Sequence, residues 1–142
     1  MNVSWAIALL LLPASLLAAP PAAECPQPRF TGRAPDAYYL LENPLVAGAD
    51  LRAARRLYQG EARGVSCATC HGENGDGRGP MSDQFEPRPR NFACAQTVNG
   101  IPDGQLFWII RFGSPGTAMP PHPHFSDGQV WQLALYLRTL AR

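Results

Sequence analysis

Two cysteines separated by two residues and followed at once by a histidine, Cys67-Ala68-Thr69-Cys70-His71, constrain this chain more than any other stretch. The pattern reads as an attachment site for a c-type haem. Cys67 and Cys70 can each bond one vinyl group of a porphyrin, and the short tether then carries His71 under the iron as an axial ligand. Two other uses of such a pair stand beside this one. Four-ligand zinc needs a second pair at similar spacing, and the remaining cysteines, Cys25 and Cys94, lie far apart. A thioredoxin-like redox pair needs a long helix after it. Here Gly72-Glu73-Asn74-Gly75-Asp76-Gly77-Arg78-Gly79-Pro80 follows, a loop with turn formers at nearly every position.

A chain of 142 residues suffices for one modest domain behind a leader. Its formal net charge of +1 argues against a nucleic-acid partner, which would need a concentrated basic surface. All 12 basic residues are Arg, so any cationic steering rests on guanidinium groups. These also suit bidentate contacts with carboxylates, haem propionates among them.

The apolar run Trp5–Leu12 is broken by Pro13 and followed by Ala18, Ala19, Ala22 and Ala23. It is short for a membrane span and suits the core of a secretory signal. Pro20 and Pro21 obstruct cleavage after Ala19, so a cut near Ala23 is expected, with an uncleaved N-terminal anchor as the alternative. The organisation read from the chain is therefore a signal peptide or anchor over 1–23, an extended N-terminal segment over 24–49 and the main domain over 50–142. Export to the periplasm fits the motif, because c-type haem is joined to protein outside the bacterial cytoplasm. Glu24, directly before Cys25, argues against lipid attachment there. In an oxidising compartment Cys25 and Cys94 are expected to be bridged, closing a loop of roughly 70 residues worth about 4 kcal/mol on the chain-entropy model.

Asp50 is placed to cap a helix in which Leu51, Ala54, Leu57 and Tyr58 share one face. Gly60 and Gly64 end it. Asp103 starts a second helix, through Leu106, Phe107, Ile109 and Ile110, with Gly113 as its stop. Ser126 and Gln129 carry a capping-box pattern, and a last helix follows to about Leu140 with Val130, Leu133, Ala134, Leu137 and Leu140 as its stripe. Pro87-Arg88-Pro89-Arg90 reads as extended chain. No segment reads as a strand, so the fold class is all-α, with the porphyrin completing the core.

A six-coordinate iron needs a second ligand. Met119 is the leading candidate, in the loop Ser114-Pro115-Gly116-Thr117-Ala118-Met119-Pro120-Pro121 between two helices. His122 and His124 compete with it, although the intervening prolines favour a surface position for both. Met81 lies too near the attachment motif to reach the far face. The choice matters, because Met/His ligation raises the reduction potential.

Taken in order, these motifs resemble the class I c-type cytochromes of the small bacterial kind. The resemblance covers roughly residues 50–140. It rests on the helix ending Leu57-Tyr58, on CATCH at 67–71, on Gly79-Pro80, on Gly116-Thr117-Ala118-Met119-Pro120 and on a last helix with Tyr136-Leu137. It implies a cytochrome c fold, three or more helices around one covalently bound haem c, with the N-terminal segment outside the match. It further implies that Pro80 offers its backbone carbonyl to the free ring nitrogen of His71. The first and last helices should cross near Ala54 and Tyr136–Leu137, and Trp108 and Arg90 should stand near the haem propionates.

The function expected is one-electron transfer by a soluble periplasmic carrier that is not itself an enzyme. Donor and acceptor proteins would dock transiently at the haem edge. The alternative is a haem-bearing subunit of a larger periplasmic or membrane-bound oxidoreductase. Catalysis or gas sensing at the iron would require Met119 to leave, and peroxidases of this kind use two haems where only one CxxCH is present.

Overall fold

The carboxylate of Asp50 accepts the backbone N–H groups of Arg52 and Ala53 at 2.9 and 3.0 Å, satisfying two of the donors that a helix start leaves open. The computed structural model describes residues 23–28, 31–45, 48–61 and 66–142. Apart from Ala23, the leader reading falls outside them. Six α-helices follow one another in this part of the chain: α1 Asp36–Tyr39, α2 Leu51–Gln59, α3 Cys67–His71, α4 Ala95–Val98, α5 Asp103–Phe112 and α6 Asp127–Leu140. A 3₁₀ turn covers Ser82–Gln84. There is no strand among the described residues, and none of their helices is long and apolar enough to cross a membrane.

α2 packs on α6, and Ala54 is fully buried there. The Tyr58 and Tyr136 rings meet at 5.4 Å between centroids. Every residue of the stripe read for the last helix is buried, and Trp131 and Tyr136 join it. Arg138 fastens α6 to the start of α5 by donating from Nε to Asp103 at 2.7 Å. The reciprocal Ser126–Gln129 capping box is formed.

Among the described residues of the N-terminal segment only α1 is helical, and it lies against α5 with Tyr38 and Phe107 stacked at 6.3 Å. A Cys25–Cys94 disulfide joins the segment to the start of α4. Asn43 holds its other end, donating from Nδ2 to the Trp131 carbonyl at 2.9 Å.

Candidate functional site

Cys70 and His71, at the end of α3, line a cavity of about 460 Å³. His71 is buried, with its ring stacked on Phe92 at 4.5 Å. Its Nδ1 lies 3.0 Å from the backbone carbonyl oxygen of Arg90. A carbonyl oxygen only accepts, so the ring proton sits on Nδ1 and Nε2 keeps its lone pair. This is the tautomer a metal-binding imidazole needs, and the bond raises its basicity.

The acceptor is Arg90, not Pro80. The chain around Pro80 turns back on α3 instead: Gly79 N–H bonds the Cys70 carbonyl at 3.1 Å and Met81 N–H that of Thr69 at 3.0 Å. Pro80 itself is left exposed. The segment that passes His71 is 89–92, where Phe92 N–H bonds the Gly75 carbonyl at 2.5 Å.

Met119 lines the same cavity as His71. Its loop is closed by its own bonds. Ser114 N–H donates to the Met119 carbonyl at 3.1 Å, and Met119 N–H donates to the Thr117 hydroxyl at 3.1 Å. Gly113 permits the turn into the loop. It has a φ of +82°, and a Cβ there would stand 2.8 Å from the Met119 carbonyl oxygen.

None of the other proposed ligands reaches the cavity. His122 is buried, contrary to the surface position expected, because its N–H is drawn onto the Ile110 carbonyl at 3.2 Å. Neither it nor His124 nor Met81 belongs to the cavity wall. Trp108 is likewise absent from that wall. On α5 the cavity takes Gln105, Leu106, Ile109 and Ile110, which share a face that excludes position 108, and Trp108 packs toward Phe112 at 6.3 Å. Arg90 does line the cavity. Its guanidinium donates to the Thr31 hydroxyl.

Part of the wall escaped the sequence reading altogether. Thr31, Arg33 and Tyr39 come from the N-terminal segment. Buried Gln105 holds that segment in place, its Oε1 accepting from Ala34 N–H at 2.7 Å and its Nε2 donating to the Gly32 carbonyl at 2.9 Å. A lone Gln within the apolar helix 103–112 was the available hint, since a buried amide must find partners.

The residues present fit an iron porphyrin. The cavity volume of about 460 Å³ falls within the roughly 300–1,000 Å³ of cofactor sites. Leu106, Ile109, Ile110 and Leu137 give it apolar walls, and Arg33 and Arg90 bring cations for carboxylates. His71 and Met119 add a nitrogen and a thioether donor. The thiols do not suit redox exchange, which needs a depressed pKa. Burial pushes Cys67 up to about 11 and also raises Cys70. Cys67 packs on the core beside the cavity instead of lining it. Among the described residues, no group of three or more His, Cys, Asp or Glu side chains could hold a metal ion.

Residues 51–141 match the cytochrome c family. The chain belongs to that family. With Cys67, Cys70 and His71 in the attachment pattern, family membership makes covalent haem c its cofactor. Among solved structures, a chain of the Kuenenia stuttgartiensis reducing HAO-like protein complex is similar in fold, at 24% identity and a TM-score of 0.55. The match covers 65% of this cytochrome and 44% of that chain, so this cytochrome spans less than half of that neighbour's length. No curated protein matches it.

Proposed function

We propose that this cytochrome is an exported one-electron carrier of the periplasm, with His71 and Met119 as the two axial ligands. The observation that carries the ligand pair is that both side chains line one cavity, while the Arg90 carbonyl holds the His71 proton on Nδ1. When bound, the haem supplies the one-electron couple. Cys67 and Cys70 tether it, His71 offers Nε2, and Met119 offers its sulfur. Apolar α5 and α6 side chains would exclude water from it, and Arg33 and Arg90, both on the cavity wall, would supply cations for its carboxylates. With both axial positions filled, no site remains for a substrate at iron. The thioether ligand places the couple in the mid- to high-potential range.

The test is a redox-resolved optical spectrum of the exported protein and of Met119→Ala. The parent should show the weak far-red band of Met-ligated ferric cytochromes. The variant should lose the band and have a lower potential. Retention of the band in Met119→Ala would remove Met119 from the proposal.

A second reading is a haem-bearing subunit of a larger oxidoreductase. It is favoured by the structural neighbour's place in a protein complex. Copurification of a large partner with the protein from its native host would support it, and a free monomer would support the carrier.

A further inference from the structure

Outside the family match, one side chain brackets the group that holds the axial histidine. Gln27 donates from Nε2 to the Pro89 carbonyl at 3.1 Å, and its Oε1 accepts from the Asn91 N–H at 2.7 Å. Those two backbone groups flank Arg90, whose own carbonyl lies 3.0 Å from the Nδ1 of His71. The amide of Gln27 therefore bonds the 89–91 backbone as a neighbouring strand would. It is itself anchored, two residues from the Cys25–Cys94 bridge, with its N–H directed at the Thr97 hydroxyl at 3.4 Å. On the opposite side, Phe92 and Ala93 N–H groups bond the Gly75 carbonyl at 2.5 and 3.1 Å, within the loop that continues from His71. The Arg90 carbonyl is thus fixed from both directions, once by the haem-attachment loop and once by the N-terminal segment.

We infer that Gln27 is a positioning residue for the iron's histidine ligand and that the N-terminal segment tunes the haem through it. The inference rests on His71 as an axial ligand and does not depend on which residue supplies the sixth. A fixed acceptor at Nδ1 strengthens the imidazole as a donor to iron, and a stronger donor favours the ferric state. Removing Gln27 takes two hydrogen bonds from the outer side of residues 89–91. The Arg90 carbonyl then wanders, the bond from His71 weakens, and the potential rises. A Gln27 that only pinned the segment would change stability and leave the iron untouched.

The experiment compares the haem-loaded exported protein with Gln27→Ala and with Gln27→Met, which keeps the side-chain bulk but neither hydrogen bond. Two quantities are read: the reduction potential, and the exchange rate of the His71 Nδ1–H by NMR of the ferrous protein. Both variants are expected to shift toward the ferrous state by up to about tenfold, which for one electron is about 59 mV. Both should also exchange the ring proton faster than the parent. A folded, haem-loaded variant with the parent's potential and exchange rate, differing only in melting temperature, overturns the inference. Failure of the unsubstituted protein to carry covalent haem would instead sink the electron-transfer function, so the two failures are told apart by mass.

Discussion

The hydroxyl of Tyr58 donates to the backbone carbonyl of Gly72 at 2.7 Å, tying the end of α2 to the residue that follows the haem-attachment helix. Tyr58 is fully buried, and burial raises its pKa far above the usual phenol range. The group therefore stays a donor at any working pH. Tyr58→Phe keeps the ring contact with Tyr136 and leaves the Gly72 carbonyl without this partner. The expected cost is about 0.5–1.5 kcal/mol, the net worth of one hydrogen bond, because the Gly72 carbonyl keeps the Gly75 N–H as a second donor at 3.1 Å. Denaturant unfolding of haem-loaded protein measures it, and a change within error would show that water replaces the hydroxyl.

The helix boundaries were legible because the signals that set them are local. Asp50, Gly113 and the Ser126–Gln129 pair act within one turn of their own backbone, and each does what its spacing predicts. α4 and the 3₁₀ turn at Ser82–Gln84 were not read, because three or four residues are too few to show a period. Within the site, CATCH names its own chemistry. The acceptor for His71 could not be found the same way, since every residue carries a carbonyl and only the course of the loop decides which one arrives. His122 misled for a related reason. Its prolines mark a loop, but the hydrogen bonds that draw the loop inward run to α5 and are tertiary.

Ser126 tests the local part of that account. Its side chain accepts from Gln129 N–H at 3.2 Å, while Gln129 Oε1 accepts from Ser126 N–H at 2.8 Å. Ser126→Ala should cost about 1 kcal/mol, as is typical for a lost N-cap. The cap is exposed and neither of its residues lines the cavity, so the reduction potential should not move. A stability change together with an altered potential would mean that α6 is coupled to the haem more tightly than its packing indicates.

Gly104 tests the tertiary part. A Cβ at this position would stand 1.8 Å from the Tyr38 carbonyl oxygen and 3.0 Å from that of Leu41. Alanine is the better helix former by about 1 kcal/mol, but here the added methyl meets backbone that cannot swing aside, and overpacking costs about 1–3 kcal/mol. The clash should win, giving a net loss and lifting α1, with the cavity residue Tyr39, away from α5. Gly100→Ala is the control, since nothing lies within 4 Å of a Cβ there. Thermal melts of the two variants decide the point: a Gly104→Ala protein as stable as Gly100→Ala would show that α1 yields freely.

The last prediction concerns pH. Burial, reinforced by the charge of the neighbouring His124, holds the pKa of His122 below its ordinary value of 6.5. The rings of His124 and Phe125 face it at 5.5 and 5.7 Å, and the Arg111 guanidinium reaches its carbonyl oxygen at 3.5 Å. No acidic side chain among these neighbours would welcome an imidazolium. The unfolded chain takes up a proton as pH falls through 6.5, whereas the folded chain resists it until a lower pH. The unfolded state therefore binds more protons across that window, and stability must rise with pH through it. The protein should accordingly lose stability on acidification below about pH 6.5, the ordinary histidine range. His122→Gln, which has no proton to gain, should show a flatter dependence. Melting temperatures measured on both proteins across this range check the sign, and equal slopes would assign the acid sensitivity to other groups.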